Sequence, residues 1–410
     1  MEVRMLPEPH TVESYRRSVL GLVTALPAET VGLAEGLGRT TAEAVTAAFA
    51  VPRFDNAAMD GYAVRAADLE GASPESPAVL VRLEPSRAGS PQPRPLRTGE
   101  ARPVMTGAPL PPGADLVVPV ERTTSGRFDD GATVALWRDA KPHIRNRGED
   151  IAEGAPIVRR GVVLGPRDLG LLAATGHTVV RVHRAPRVAL VVTGDELFSD
   201  AGPRAGIPDS NSVYLRAAVT ALGGDVVSVQ LVRDDEDALR RVLDSAARKA
   251  DLIVSTGGVG PGTHDLAGRL AAASPDGTLA RVAMRPGRPQ AHGRWRGTPW
   301  LALPGTPAAA FVSFEAFVRP VLARLAGALT GGEPASETVS VGWPGRAGAV
   351  RFVPLAVEAD ADAIAVHPLG SPDHASHSLS AMFRAPLIAM VGAETANVET
   401  GQLVPVFEPA

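Results

Sequence analysis

The sequence predicts a multidomain α/β protein, with a doubly wound α/β domain near its centre and β-rich segments before and after it. Three observations carry this. From residue 186, apolar strands alternate with helix-length segments, the pattern of a parallel sheet covered on both faces. Between about 71 and 140, prolines crowd among short β-type runs. Beyond 335, short strands recur without helices between them. A chain of 410 residues exceeds one ordinary core, and its length suggests roughly two to four domains.

Residues 11–26 read as an amphipathic helix, with Val12, Val19, Leu20, Val23 and Leu26 at helical spacing and Thr11 as N-cap. Residues 41–50 continue in an Ala-rich helical style. Strand-like runs follow at Ala78–Leu83, Leu116–Val120 and Thr133–Trp137. A helix over 166–175 starts near Pro166 and stops at Gly176. The α/β segment opens with RVALVVT, ending in GDE. A helix over about 211–222 stops at Gly223-Gly224. The strand DVVSVQLV ends in RDDED, and a helix runs to about Lys249. The strand DLIVS ends in TGGVGPGTHD. After another helix, RVAM ends in RPGRP and PWLALP ends in GTP. A long apolar helix fills 307–326. Residues 329–335 read as a linker, and TVSVGW, RFVPLAV, AIAVHPL, PLIAMV and QLVPVF as strands of a C-terminal β domain.

Composition removes several classes of function. Aromatics are only 4%, so aliphatic side chains carry the cores. A net charge of −4 and a pI of 6.2 argue against a general nucleic-acid binder. The absence of cysteine excludes disulfides, thiolate nucleophiles and Cys-type zinc sites. A reducing cytoplasm is the simplest home. The first residues hold no apolar run long enough for a signal peptide. No stretch of ~18 uncharged apolar residues occurs, so no membrane span is expected. GxSxG and GxxxxGK[ST] are absent, against a nucleophile elbow and a P-loop. His374 and His377 form HxxH without a third ligand motif and do not read as a zinc site.

In an open parallel sheet, ligands bind beyond the carboxyl ends of the strands. Five such ends here carry unusual residues. They are Thr193 to Glu196, Asp234 and Asp235, Ser255 to Asp265, Arg285 to Arg288, and Pro304 to Pro307. Gly257, Gly258, Gly260 and Gly262 stand between a buried strand and a helix, where free backbone N–H groups suit phosphate. Glu196 and Asp265 follow Gly-bearing strand ends, and carboxylates beside a phosphate call for a hard cation such as Mg²⁺. Asp234 and Asp237 have the alternative role of capping the helix that follows. Arg285 and Arg288 flank Pro-Gly and suit phosphate or oxyanion capture. Outside the sheet, FDNAAMDGYAV (54–64), MTGAPLPPGAD (105–115) and RNRGED (145–150) are polar, Gly-bearing loops that suggest further site residues.

FDNAAMDGYAV, MTGAP, RGED, TGDE, DSN, RDD, GGV followed by Asp265, RPGRP and LPGTP occur in the order found in molybdopterin molybdenumtransferases. From about residue 10 to 405 the chain resembles this MoeA family, and is similar to the E domain of gephyrin. The resemblance implies four domains. Residues 1–50 with 141–180 would be a discontinuous, elongated dimerisation domain, and 51–140 an inserted β-rich domain. Residues 181–328 would be the α/β molybdopterin-binding domain, and 329–410 a β-barrel-like domain. It also implies a homodimer with sites shared between subunits, acting on adenylylated molybdopterin and molybdate with a divalent cation and releasing AMP. Molybdopterin adenylyltransferase and molybdoenzymes would be its partners.

Matching motifs implies Asp60, Asp150, Glu196 and Asp234 as catalytic carboxylates, with Glu196, Asp234 and Asp60 on Mg²⁺. Thr106, Gly257, Gly258, Asp265, Arg285, Arg288, Pro304, Gly305 and Thr306 would bind substrate. The family's GGVS is GGVG here, with Gly260 for Ser. LPGNPVS becomes LPGTPAA, with Thr306 for Asn and Ala309 for Ser. Arg288 replaces the second Lys of the KPGKP-like motif, and GQGSH becomes DHASH. Fewer hydroxyl donors suit an altered oxyanion site. Two alternatives to the transferase therefore stand. One is a divergent paralogue that binds the pterin nucleotide but inserts metal poorly or handles another oxyanion. The other is a non-catalytic scaffold for cofactor delivery.

Overall fold

The computed structural model describes residues 9–89, 91–198, 206–260, 262, 265–329, 335–345, 347–360, 363–370 and 378–410. The HxxH pair, His374 and His377, lies outside the described residues.

The first helix is Val12–Gly21, capped as expected by the Thr11 hydroxyl, which accepts from the Ser14 N–H at 3.0 Å. Its apolar stripe, Val12, Tyr15 and Val19, is buried in the core of the α/β domain, where Tyr15 meets Phe317 edge-on at 4.8 Å. The helix expected over 41–50 does not form. Val45–Thr46 is a short strand against Pro156–Val158, and Thr40 and Thr41 make β-bridges to Val163 and Val182. β-Branched residues on a half-buried ladder outweigh the alanines' helix preference, and the Thr41 hydroxyl donates to the Arg159 carbonyl at 2.7 Å. Ala28–Gly32 pairs antiparallel with Val179–His183. Between those partners runs the helix Pro166–Ala174, with Pro166 in its first turn and Gly176 at φ +98° behind it.

A five-stranded sheet follows in the order Leu116–Pro119, Gly61–Val64, Glu100–Val104, Ala78–Arg82, Thr133–Leu136. FDNAAMDGYAV is therefore two strand segments, Asn56–Ala57 and Gly61–Val64, with Asp60 in the bend between them. Asn56–Ala57 pairs with Ile144–Arg145, so the chain enters and leaves this sheet side by side.

The central sheet has six strands in the order Asp225–Val232, Arg187–Thr193, Leu252–Thr256, Thr298–Leu303, Pro289–Trp295, Thr278–Arg281. The first four are parallel. The expectation of a wholly parallel sheet needs one correction: Pro289–Trp295 runs antiparallel to both its neighbours. RPGRP turns the chain straight back, and the returning strand reads poorly in sequence because it buries Gln290 and His292 among its apolar residues. Two cores flank the sheet. One includes Phe311, Phe314 and Phe317, and the other packs the helices Glu236–Ala247 and Leu266–Ala272. The apolar helix after LPGTP is continuous over Pro307–Leu325, with a π-helical turn at Phe314–Val318.

At the end of the chain, five strands close into a barrel. Val350–Asp360 pairs with Ala363–Pro368 and with Leu387–Val391, and the circuit runs through Ala335–Val339 and Leu403–Phe407. Val353, Leu355, Val366, Val404 and Val406 are buried together in one core. Met284–Arg285 adds to the barrel in parallel beside Val350 and Arg351, so the RPGRP turn starts at the seam of two domains. Among the described residues, no helix is long and apolar enough to cross a membrane.

Candidate active site

The carboxyl ends of the four parallel strands and the RPGRP turn line one crevice of about 820 Å³. Each end is shaped by its residues. After Thr193, the Glu196 carboxylate folds back over Gly194: a Cβ there would stand 2.7 Å from it. After Val232, Asp234 lines the crevice and its N–H donates to the Asp195 carboxylate at 3.3 Å. The capping role open to Asp234 and Asp237 falls to Asp235, whose carboxylate accepts from the Ala238 N–H at 2.6 Å.

The Gly257-Gly258 turn demands glycine. The two have φ of +92° and +64°, and a Cβ on Gly257 would lie 2.4 Å from the Thr193 carbonyl. Asp265 starts the helix behind this turn. Its carboxylate accepts from the Gly262 N–H at 2.7 Å and crowds Gly260, where a Cβ would stand 2.9 Å away. A serine at 260 would have to displace that carboxylate.

The Arg285–Pro286 bond is cis and Gly287 has φ +94°. The Val282 N–H donates to the Arg288 carbonyl at 2.7 Å, closing a turn that brings both arginines to the crevice wall. Pro304, Gly305 and Thr306 form the last wall. Thr306 precedes the next helix without capping it by its side chain.

Among the residues expected from sequence, the structure thus gathers Glu196, Asp234, Gly257, Gly258, Asp265, Arg285, Arg288, Pro304, Gly305 and Thr306 in one place. Asp60, Thr106 and Asp150 do not line the crevice of their own chain. Asp60 sits in the inserted sheet, where one carboxylate oxygen accepts from the Thr106 N–H at 2.7 Å and from its hydroxyl at 2.9 Å. Asp150 lies in the RGED turn, its N–H donating to the Val51 carbonyl at 3.1 Å. The metal set Glu196, Asp234 and Asp60 is therefore not assembled within one chain. Among the described residues, no group of three or more His, Asp or Glu side chains could hold a metal. Glu196 and Asp234 remain at the crevice, and hard carboxylate oxygens in that number fit Mg²⁺, which takes one or two carboxylates beside water and phosphate oxygens.

Sequence reasoning missed two features. Leu197, Ile207 and Pro208 give the crevice an apolar lip, suited to a flat ring system. Asp209 and Asn211 also line it. Asp209 accepts from the Ser212 N–H at 3.0 Å, and the DSN triplet before a predicted helix was the available signal.

Comparison with known proteins bears on this site. The family model of the MoeA N-terminal region (domain I and II) matches residues 10–176, and that of a probable molybdopterin binding domain matches 189–324. A molybdopterin molybdenumtransferase 2 of Mycobacterium tuberculosis is 40% identical over 323 residues, covering 76% of this chain and 78% of its own length. A molybdopterin molybdenumtransferase of Staphylococcus aureus is 32% identical over 324 residues, covering 78% and 77%. The crystal structure of a molybdopterin biosynthesis MoeA protein from Pyrococcus horikoshii superposes with a TM-score of 0.81 at 28% identity, covering 98% of this chain and 99% of that one.

Proposed function

The chain belongs to the MoeA family of molybdopterin molybdenumtransferases, and from that premise we propose that it consumes adenylylated molybdopterin and molybdate, with Mg²⁺, and releases AMP and molybdenum cofactor. One observation carries this reading. Glycine turns with room for a phosphate, two arginines and four carboxylates, those of Glu196, Asp209, Asp234 and Asp265, converge on a single crevice with an apolar lip.

The chemistry follows from the groups present. The substrate's phosphoanhydride lies against the Gly257-Gly258 and Gly305 turns, where backbone approaches without side chains between. Arg285 and Arg288 neutralise phosphate or molybdate oxygens, each guanidinium offering a planar fork. Glu196 and Asp234 would hold Mg²⁺, which would supply positive charge against the phosphate oxygens. They also orient the water whose oxygen replaces the leaving phosphate, so that the anhydride opens to AMP and free molybdopterin phosphate. Molybdate then exchanges oxygen for the dithiolene sulfurs, releasing water.

Asp60, Thr106 and Asp150 act in this reading from a second copy of the chain, with 1–50 and 141–180 as dimerisation domain apart from the helix Val12–Gly21, which packs in the core of the molybdopterin domain, 51–140 as inserted domain, 181–328 as molybdopterin domain and 329–410 as the closing barrel. The homodimer works in the cytoplasm, between molybdopterin adenylyltransferase and the molybdoenzymes. Gly260 and Ala309 favour a second reading, in which the nucleotide is cleaved but molybdate is replaced by another oxyanion such as tungstate. The test supplies purified protein with adenylylated molybdopterin and Mg²⁺, with molybdate, tungstate or neither. Molybdate-dependent AMP release supports the first reading and tungstate dependence the second. No AMP under any condition contradicts both and favours a delivery scaffold.

A further inference from the structure

Two buried carboxamides grip the glycine turns of the crevice. Asn211, at the start of the helix Asn211–Ala221, is 6% exposed. Its Nδ2 donates to the Gly305 carbonyl at 2.7 Å and to the Thr256 hydroxyl at 3.4 Å. One side chain thus joins a helix start, the end of the Leu252–Thr256 strand and the LPGTP turn. Gln290 is fully buried in the returning strand. Its Nε2 donates to the Gly287 carbonyl at 2.8 Å and to the Ser313 hydroxyl at 2.6 Å. It joins the RPGRP turn to the helix that follows LPGTP. A carbonyl only accepts, so in both cases the NH₂ of the amide must face the turn.

We propose that Asn211 and Gln290 are positioning residues, which fix the two ligand-facing turns in the geometry that aligns the reacting groups before substrate arrives. The role in turnover rests on the reading of the crevice given above. Glycine turns are conformationally permissive, and each of these is anchored by a strong bond to a buried donor. Freed of that bond, the turn samples other geometries, and a displacement of about 1 Å at a reacting centre costs up to ~100-fold in rate.

The variants N211A, N211D and Q290M separate position from bulk. N211D keeps the size of the side chain. Ionised, it repels the Gly305 carbonyl; protonated, it donates to it again. In ligand-free, full-length protein we expect the Gly257 and Ala310 amides, which donate to the Leu303 and Thr306 carbonyls on either side of Gly305 at 3.0 and 2.9 Å, to exchange hydrogen at least ~10-fold faster in N211A and N211D than in wild type at pH 7.5. N211D alone returns toward the wild-type ratio as pH falls. Q290M has the same effect on the Val282 amide, which closes the RPGRP turn by donating to the Arg288 carbonyl at 2.7 Å, while the helix Glu236–Ala247 is unchanged in all three. For AMP release, kcat falls at least ~10-fold with KM for the pterin nucleotide within about 3-fold. Unchanged exchange at both turns overturns the proposal. So does faster exchange with wild-type kcat, since the turns then need no anchor for the reaction. Absence of AMP release from wild type instead removes the functional reading, and exchange still reports on the anchors.

Discussion

Gly257 and Gly305 meet backbone to backbone: a Cβ on Gly305 would stand 3.3 Å from the Gly257 Cα. The two central strands thus end against each other with no side chain between, which leaves the crevice floor open to a phosphate. Gly257 is the more constrained, with φ +92° and the Thr193 carbonyl 2.4 Å from its absent Cβ. G257A should lose about 2–4 kcal/mol of unfolding free energy from left-handed strain and overpacking. G305A, where a neighbour need only yield slightly, should lose much less. Urea denaturation of both variants checks the order, and equal midpoints would contradict the close-approach account.

Glu196 folds over Gly194 at the crevice mouth. E196A should keep the far-UV circular dichroism and melting temperature of wild type, while AMP release falls by ~100-fold or more. Chelating the divalent cation from wild type should have the same effect. A variant that turns over normally removes Glu196 from the site.

Asp60 binds Thr106 in the inserted sheet of its own chain and does not line its own crevice. If the site is completed by a second copy, D60A and E196A chains are each inactive alone. Mixed dimers should regain activity, up to about a quarter of wild type for random pairing of equal amounts. A mixture as inactive as its components argues against sharing between subunits.

His292 is buried beside the Tyr15 ring, with ring centroids 5.0 Å apart. Burial pushes its pKa down to about 4, and the charge of His10 acts in the same direction while Asp276 opposes it. The unfolded chain takes up this proton near the ordinary 6.5 and the folded protein does not. Stability from this group is therefore full above pH 6.5 and declines as pH falls toward about 4. The whole effect is about 3 kcal/mol. H292L should flatten the dependence of unfolding free energy on pH across that window. An unchanged slope would show that His292 is not the group responsible.

Much of the fold was legible because the pattern was strong. Buried apolar runs such as RVALVVT and DLIVS end in glycines, and both are strands with crevice residues at their carboxyl ends. Thr11, Pro166 and Gly176 marked helix ends correctly. The failures have physical causes. Residues 41–50 carry helix-favouring alanines, but strand pairing across a long stretch of sequence decides their state. Pro289–Trp295 hides Gln290 and His292 inside a core, so its period is masked. Asn211 stands in the sequence only as the last residue of DSN, and nothing local reveals that its partner is the carbonyl of Gly305.

The most direct measurement follows the product. Purified wild-type protein is incubated with adenylylated molybdopterin, Mg²⁺ and molybdate, and the mixture is added to a molybdoenzyme freed of its cofactor. AMP and active molybdoenzyme should appear in equal amounts, and both should be lost in E196A. AMP release with no recovery of molybdoenzyme activity would contradict the transferase reading.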